Sequence, residues 1–314
     1  MSVQMLRPTE DHYKQVLRNI KRGGLVTLLG AGANLSDRAE GEAYVQGQNL
    51  PSGAELAERL AEEHEYPEGR EDRCDLLRVA QFAQMNDESY LRDSLHDVFG
   101  ATYGPTSVHR FLAGLPERTG QHQLVLTTNY DDALEQAYRA VGEPFSTIYY
   151  RAVREGRCWV REDGTAEPQL IEKPSEDTRD WLADRSVILK VHGAVDREER
   201  RAFNDSYVIS EDHYIDFLAT VDLETLVPKK LLVHLANSAV LFLGYSLVDW
   251  NLRVLLRDLW ARRDVAYPAW AIQLAVDPLD RAVWDHRQVD IFEQPLAAYV
   301  AQLEERLGNG AASG

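Results

Sequence analysis

The chain has 314 residues, of which 44% are hydrophobic and 27% charged, a balance typical of a soluble globular protein with a sizeable buried core. Its formal net charge of −17 argues against a general nucleic-acid surface, because affinity for DNA depends largely on Lys and Arg side chains that neutralise phosphates. The longest apolar run, residues 238–245, is too short to cross a bilayer, no signal peptide is recognisable and cysteines number only two, so we expect a cytoplasmic protein.

The chain begins with a strand between helices. A helix is predicted over residues 11–22, and a buried parallel strand over residues 25–29, a short run of leucine and β-branched residues with glycine at both ends. From residue 52 to about residue 96, apolar residues recur at three- and four-residue spacings among charges, which predicts helices. Ser52 followed by Glu55 resembles a capping box.

A second strand lies near the middle of the chain. The break at residues 100–105 precedes a helix over residues 106–112, capped by the Thr or the Ser at its start. The second strand covers residues 124–128, and a helix over residues 130–141 follows it. Residues 144–184 mix aromatic, charged, Gly and Pro residues, which is typical of short β-hairpins and loops.

The remaining segments continue the alternation of strands and helices. They are strands at residues 186–191, 240–243 and 270–276, and helices at residues 210–219, 250–262 and 296–307. The fold class we expect is α/β: a Rossmann-like, mostly parallel sheet covered by helices on both faces, with a helical insertion and no zinc module. We assign residues 1–50 and 120–307 to the Rossmann-like domain, residues 51–119 to the helical insertion and residues 308–314 to a disordered tail.

Four short motifs stand directly after predicted strands. They are GAGAN at residues 30–34, TTNYD at residues 127–131, KVHG at residues 190–193 and GYS at residues 244–246. Open α/β sheets bind their ligands outside the carboxyl ends of the strands. We therefore expect these motifs to share one cleft.

The glycine loop after the first strand would let the backbone approach a pyrophosphate, whose charge favours nearby amide groups. Gly30, Ala31 and Gly32 are the candidate contacts, with Asn34 in the same motif. The alternative is a tight strand exit with no ligand, because the full dinucleotide fingerprint needs a glycine where this chain has Leu35.

Asn129 and Asp131 stand at the exit of the second strand. An amide can donate to and accept from a nicotinamide carboxamide, or place a water, and a carboxylate can accept from the carboxamide amine. The alternatives are that Asn129 occupies a left-handed turn and that Asp131 caps the following helix. We favour a functional role for Asn129, and both interpretations stay open for Asp131.

His192 is the natural general base, since the unperturbed pKa of histidine lies near working pH. Lone histidines on apolar strands are more often structural, but the position at a strand end before Gly193 predicts a ring that faces the cleft. Ser246, two residues after Gly244, would bind a phosphate or a ribose hydroxyl, or would cap a helix.

Taken in order, these motifs resemble those of the SIR2-like family. They are joined by SYVISEDHYIDFL at residues 206–218 and LFLGYSLVDWNLRVLL at residues 241–256. The resemblance runs from about residue 23 to residue 276 and is closest to the bacterial defence-associated branch, which is zinc-less and hydrolyses NAD. It implies that NAD is the substrate and that no metal takes part.

The resemblance also assigns each motif to a part of NAD. The glycine loop would contact the pyrophosphate, and Asn129 with Asp131 would face the nicotinamide ribose and carboxamide. His192 would be the catalytic base, and Gly244 with Ser246 would contact the adenosine end. The candidate catalytic residues are thus Asn129 and His192, and the candidate cofactor-binding residues are Gly30, Ala31, Gly32, Asn34, Thr128, Asp131, Gly244 and Ser246.

The chain departs from the protein deacetylases of this family at two points. Residues 194–205, which follow the His-Gly motif, contain no cysteine, so the four-cysteine zinc module found there in deacetylases is missing. Thr128 stands where deacetylases have glutamine. The zinc module helps to frame the acyl-lysine groove, and its loss implies an NAD site open to water. We therefore expect an NAD hydrolase that releases nicotinamide and ADP-ribose.

The resemblance to the defence-associated branch implies a gated effector that depletes NAD on phage infection. The partners it implies are further copies of the chain and a HerA-type ATPase or other defence protein, with no direct nucleic-acid or membrane binding. Residues 52–115 and the C-terminal region are candidate assembly surfaces, with ordinary packing as the alternative. Two other functions stay open: an NAD-dependent protein deacylase or ADP-ribosyltransferase, and a non-catalytic sensor of NAD or ADP-ribose.

Overall fold

Nine strands of the described residues form one sheet. The computed structural model of the protein describes residues 6–151, 157–162, 168–197, 205–220, 227–245 and 267–311. The strands are β1 (Leu25–Leu29), β2 (Leu124–Thr127), β3 (Phe145–Arg151), β4 (Arg157–Glu162), β5 (Gln169–Ile171), β6 (Ser186–Lys190), β7 (Ala239–Leu243), β8 (Ala269–Gln273) and β9 (Val289–Glu293). They lie in the order β5-β4-β3-β6-β2-β1-β7-β8-β9. β4 runs antiparallel to β3 and β5 and the other pairs are parallel, so the predicted mostly parallel α/β sheet is confirmed.

Helices separate most of the strands along the chain. They are α1 (Glu10–Lys21), α2 (Gly53–Glu63), α3 (Leu76–Phe99), α4 (Ser107–Thr119), α5 (Ala133–Val141), α6 (Glu211–Thr220), α7 (Lys229–Ala236), α8 (Pro278–Asp285) and α9 (Leu296–Ala311). Not one of these described helices combines the length and the apolar character that a bilayer span requires. The helix predicted over residues 250–262 lies outside the described residues.

The two faces of the sheet carry separate apolar clusters. In β1, Leu25 and Leu29 belong to one cluster, whereas Val26 and Leu28 belong to the other, because successive side chains of a strand point to opposite faces. The first face is covered by α1, α4, α5 and α9, and the second by α6, α7 and α8. The sheet is therefore covered on both faces, as predicted.

A third apolar cluster lies away from the sheet and joins α2 to α3. It includes Tyr207 and Ile209, from the segment that follows β6, so the helical segment is packed against a neighbour of the KVHG motif. The predicted capping box is present at α2: the Ser52 hydroxyl accepts from the Glu55 N–H (3.3 Å), and the Glu55 carboxylate accepts from the Ser52 N–H (2.8 Å). α4, which falls within the predicted insertion 51–119, packs instead with α1, α5 and α9.

Two helix boundaries differ from the prediction near the second motif. α5 begins at Ala133 and not at residue 130, because the Asp131 carboxylate accepts the N–H of Ala133 (3.0 Å) and starts the helix there. α4 continues past residue 112 to Thr119, where Gly120 in a left-handed conformation (φ 68°) ends it.

Elements near the C-terminal side were predicted less well. α9 continues past residue 307 to Ala311 although this stretch is rich in glycine, and residues 312–314 lie outside the described residues. β8 ends at Gln273, before the predicted end, because the chain becomes exposed beyond it. α7, α8 and β9 were not predicted, since each is too short for a clear periodic pattern.

Candidate functional site

The four strands that precede the predicted motifs lie side by side, in the order β6-β2-β1-β7 at the centre of the sheet. Thr127 at the end of β2 pairs with Leu29 on one side and with Lys190 on the other. Asn129 and His192 each lie two residues beyond this last pair, at the exits of two neighbouring strands. The topology therefore brings the TTNYD and KVHG motifs, with their polar side chains, to the same edge of the sheet as the two glycine turns.

The glycines of the first and fourth motifs allow two loops to pack backbone against backbone. The N–H of Gly30 donates to the carbonyl of Leu243, and the N–H of Gly32 donates to that of Gly244, both at 2.9 Å. A Cβ on Gly30 would lie 2.5 Å from the Gly244 oxygen, and one on Gly244, whose φ is +71°, would lie 2.2 Å from the Ala33 nitrogen.

This packing changes the interpretation of the glycine loop. The amides of Gly30 and Gly32 already have backbone partners, so they are not free to bind a pyrophosphate as the sequence suggested. Ala31 occupies the first position of a 3-10 turn over Ala31–Leu35, where the N–H lies outside the hydrogen bonds of the turn itself. Its amide is the better candidate for an anionic ligand.

Several candidate cofactor-binding residues line one open cavity of about 530 Å³. Its lining comprises Ala31, Gly32, Leu35, Ser52, Gly53, Thr128, Gly244, Tyr245, residues 272–277, Asp280 and Leu296. The cavity thus lies between the glycine loop, the start of α2 and the exit of β8. Thr128 is fixed at its edge by the Tyr245 hydroxyl, which donates to the Thr128 hydroxyl at 3.3 Å. Ser246 lies outside the described residues.

Asn129 is buried, with 8% of its surface exposed, and only part of its amide is used. Its backbone N–H donates to the Thr127 hydroxyl (3.0 Å), and its Nδ2 donates to the Gly30 carbonyl (3.2 Å). Its Oδ1 is buried and has no hydrogen-bond partner in the part of the chain that the structure describes. Asn129 does not have the positive φ of a left-handed turn, so that alternative is wrong. A buried acceptor without a partner is costly and marks a place for a ligand or water.

Asp131 joins the second motif to the glycine loop. Its Oδ2 accepts from Asn34 Nδ2 at 2.8 Å, and its Oδ1 accepts the N–H of Ala133. Asp131 therefore bonds the first amide of α5 from the position before the N-cap, which is Asp132, while its role toward a carboxamide stays a prediction. Asn34 resembles Asn129, because its buried Oδ1 also finds no partner among the residues described.

His109 is a residue of this site that the sequence did not single out. It is 1% exposed, and its Nδ1 accepts the N–H of Thr106 at 3.1 Å. The Thr106 hydroxyl in turn donates to the carbonyl of Ala33 (2.9 Å), which ties α4 to the glycine loop. Burial lowers the pKa of His109 to about 4, and the nearby Asp131 carboxylate opposes that shift. In the sequence it is only a histidine within a predicted helix, because its burial and its hydrogen bonds are set by the folded chain.

A second cavity, of about 190 Å³, opens beside this group. Asn34, Thr106 and His109 line it, together with polar side chains of the loop that follows the glycine motif. Among the described residues, His, Cys, Asp and Glu side chains do not gather in threes as a metal site would require. Several of the side chains around this cavity can donate or accept hydrogen bonds.

His192 is buried, which differs from the predicted position facing the cleft. Only 2% of its surface is exposed, and its ring meets those of Tyr214 and Phe217 edge-on, with centroids 5.2 and 5.4 Å apart. These aromatic residues lie on α6, which closes over the end of β6. Burial lowers the pKa of His192 to about 3, so the imidazole is neutral at physiological pH and resists protonation while it stays buried.

The buried histidines predict a loss of stability in acid. Burial lowers the pKa of His12 to about 4, as it does for His109. In the unfolded chain each titrates near 6.5, so below that pH the unfolded state binds more protons and the free energy of unfolding falls. Between pH 7 and pH 5 each depressed histidine should contribute about 2 kcal/mol of this loss. Urea unfolding at the two pH values measures it.

The contribution of His12, which lies outside the candidate site, can be measured separately. His12 donates to or accepts from the Tyr299 hydroxyl at 2.8 Å, a contact that glutamine can replace. The variant His12→Gln should lose about 2 kcal/mol less than the wild type between the two pH values. The exposed His286 provides a control, since His286→Gln should leave the difference unchanged. Equal losses in the two variants would contradict the prediction.

Comparison with known proteins finds a matching family model and similar proteins. A family model described as the SIR2-like domain matches residues 123–292, more than half of the chain. Defense-associated sirtuin 2 of Bacillus subtilis is 27% identical over 256 residues, which are 80% of this chain and 20% of that protein. The NAD(+) hydrolase ThsA of Enterococcus faecium is 27% identical over 263 residues, 82% of this chain and 45% of that protein. The chain therefore spans less than half the length of either relative.

Among solved structures, a Sir2 enzyme superposes on the chain with a TM-score of 0.52. The superposition covers 97% of this chain and 100% of the other at 12% sequence identity. At this identity the likeness concerns the fold alone, and it agrees with the mostly parallel sheet described above.

Proposed function

Since the chain belongs to the SIR2-like domain family, we propose that it hydrolyses the nicotinamide–ribose bond of NAD to release nicotinamide and ADP-ribose. The observation that carries the proposal is that the strands leading to Asn129 and His192 are adjacent, and that Thr128, next to Asn129, lines the open cavity at the glycine loop. The name of the relative from Enterococcus faecium, an NAD(+) hydrolase, supports it.

The reaction requires the protein chiefly to orient the substrate and to stabilise charge. Nicotinamide leaves the ribose as a neutral group, so the enzyme must align the bond, stabilise positive charge on the sugar and present a nucleophile. The free Oδ1 of Asn129 would accept from the nucleophilic water or from a ribose hydroxyl. His192 would take up the proton once the site opens, because in the buried state desolvation disfavours the charged imidazolium.

The two cavities suggest how NAD would be divided. The cavity of about 530 Å³ would hold the adenosine and pyrophosphate, with the amide of Ala31 toward the phosphates. The smaller cavity, lined by Asn34 and His109, would take the nicotinamide. The free Oδ1 of Asn34 would accept from the carboxamide amine, a contact that Asp131 fixes by holding the Asn34 Nδ2.

Water is the acceptor that we favour over an acylated protein. Residues 194–205 supply no cysteine, so the four-cysteine module of the deacetylases has no counterpart in the stretch that follows His192. Transfer of ADP-ribose to a protein would use the same groups of the chain with another nucleophile, and product analysis separates the two reactions.

We also propose that the activity is gated and serves antiphage defence. Asn129 and His192 are both more than nine-tenths buried, so NAD cannot reach them without a movement of the surrounding chain. A permanently open NAD hydrolase would consume the NAD of its own cell. Assembly of several copies, or a partner such as a HerA-type ATPase, would supply the opening. The name of the Bacillus subtilis relative, a defence-associated sirtuin, supports this role.

The test is chromatography of NAD incubated with the purified protein over a range of protein concentrations, without any acylated peptide. We expect nicotinamide and ADP-ribose in equal amounts, and a fall of at least about tenfold for Asn129→Ala, which removes the free amide oxygen. Asn237→Ala is the matched control, since Asn237 is an exposed amide at the end of α7. Tight NAD binding without cleavage at any concentration would favour the sensor.

A further inference from the structure

We infer that Lys190 is a positioning residue for the loop that carries Asn129, through the contact of its ammonium group with the backbone carbonyl of Asp131. The inference rests on the proposed NAD cleavage for its kinetic consequence. Its structural part, the fixing of residues 129–132 by a buried cation, stands on the contacts alone.

Lys190 is among the largest fully buried side chains of the described residues. It ends β6, two residues before His192, and only 2% of its surface is exposed. Its Nζ lies 2.7 Å from Oε1 of Glu135 and donates to the carbonyl oxygen of Asp131. An ammonium group buried in this way is strongly unfavourable unless it is paired and hydrogen-bonded. Both conditions are met here.

The contact spans three parts of the fold. Lys190 belongs to the strand that leads to His192, Asp131 to the loop that contains Asn129, and Glu135 to the first turn of α5. The carboxylate of Asp131 also holds Asn34 of the glycine loop. A shift of the Asp131 backbone would therefore move both free amide oxygens of the site at once.

Stability alone does not account for this pair. Replacing a buried ion pair by apolar groups of similar volume is often neutral or stabilising, whereas removing one partner leaves an uncompensated charge. The second oxygen of Glu135, Oε2, is buried without a partner in the described ranges, so the pair is not fully satisfied there. The bond to the Asp131 carbonyl is the part of the arrangement with a consequence for the site. The positive charge also reaches His109, whose pKa it helps to lower.

Three variants separate positioning from charge compensation. Lys190→Met leaves Glu135 buried without its cation and should unfold at lower temperature. Lys190→Met with Glu135→Met removes both charges and should regain most of the lost thermal stability. Glu135→Gln, the matched control, removes the counter-charge of Lys190 and should also unfold at lower temperature, but it keeps Lys190 bonded to the Asp131 carbonyl. We expect kcat for NAD cleavage to fall at least about tenfold in the double variant, with KM changed less than about threefold, and to stay within about threefold of wild type in Glu135→Gln.

Hydrogen exchange gives a readout that does not depend on activity. In the double variant the amides of residues 129–132 should exchange at least about tenfold faster than in wild type, while those of β1 remain protected. A double variant with wild-type kcat and wild-type exchange in this loop would overturn the inference and leave Lys190 as a charge partner of Glu135. Failure of the wild type to cleave NAD at any protein concentration, with and without a HerA-type ATPase, would instead overturn the proposed function, and the exchange of residues 129–132 would still decide the role of Lys190.

Discussion

Replacing His192 by asparagine should lower the rate of NAD cleavage by about 10²–10⁴-fold, the usual contribution of a positioned general base. The physical reason is that His192 is neutral in the buried state, and the movement that admits NAD would expose its ring and restore the basicity that proton transfer requires. Asparagine is polar but cannot accept a proton at neutral pH. Initial rates of nicotinamide release at saturating NAD measure the loss, and ADP-ribose binding shows whether the site is intact.

Two controls accompany this variant. His286 is exposed on the surface, so His286→Asn should keep full activity. Because the movement that admits NAD relieves the burial that lowers the pKa of His192, the wild-type rate should fall in acid as the imidazole takes up a proton. If His192→Asn lost only a few-fold in rate, another group would have to take the proton and His192 would be a packing residue against Tyr214 and Phe217.

Replacing Gly244 by alanine should reduce the free energy of unfolding by about 2–5 kcal/mol and abolish ADP-ribose binding. Two costs combine: a left-handed backbone costs a residue with a Cβ about 1–2 kcal/mol, and overpacking costs about 1–3 kcal/mol. The added Cβ would lie 2.2 Å from the Ala33 nitrogen, so the glycine loop must move. Urea unfolding and calorimetric titration with ADP-ribose measure the two effects.

Gly142 supplies the matched control for this variant. Its φ is +74°, close to that of Gly244, but a Cβ added to Gly142 would meet no atom of the described residues within 4 Å. Gly142→Ala therefore carries the backbone cost without the clash and should leave ligand binding unchanged. If Gly244→Ala were no less stable than Gly142→Ala, the close packing of the two glycine turns would not matter to the fold.

The sequence predicted the parts of the site that follow from local pattern. Runs of leucine and β-branched residues predicted β1, β2, β6 and β7. In the structure each motif begins at the last residue of its strand or directly after it. The order of the strands was not readable, since adjacency depends on pairing between segments far apart in the chain. The roles of Asn129 and His192 toward NAD stay predictions, supported by the register that aligns them.

The features that the sequence did not predict depend on burial of side chains by segments that are distant in the chain. His192 was expected to face the cleft, but α6 brings Tyr214 and Phe217 over its ring. His109 was overlooked because its links to the site exist only in the folded chain. Thr106, to which it is bonded, donates to the Ala33 carbonyl, and the Asp131 carboxylate acts on its pKa. The sequence suggested that Gly30 and Gly32 make room for a ligand, whereas in the structure they allow close contact between two loops.

The strand order also governs how the protein is made. β1, β2, β6 and β7 are neighbours in space, yet β1 ends at Leu29 and β7 begins at Ala239. Such long-range pairing is slow, because loop closure must precede the contacts that reward it. A nascent chain on the ribosome cannot close the gap between β1 and β7 until the β7 segment has emerged. The site of the proposed activity therefore cannot assemble before β7 has paired with β1.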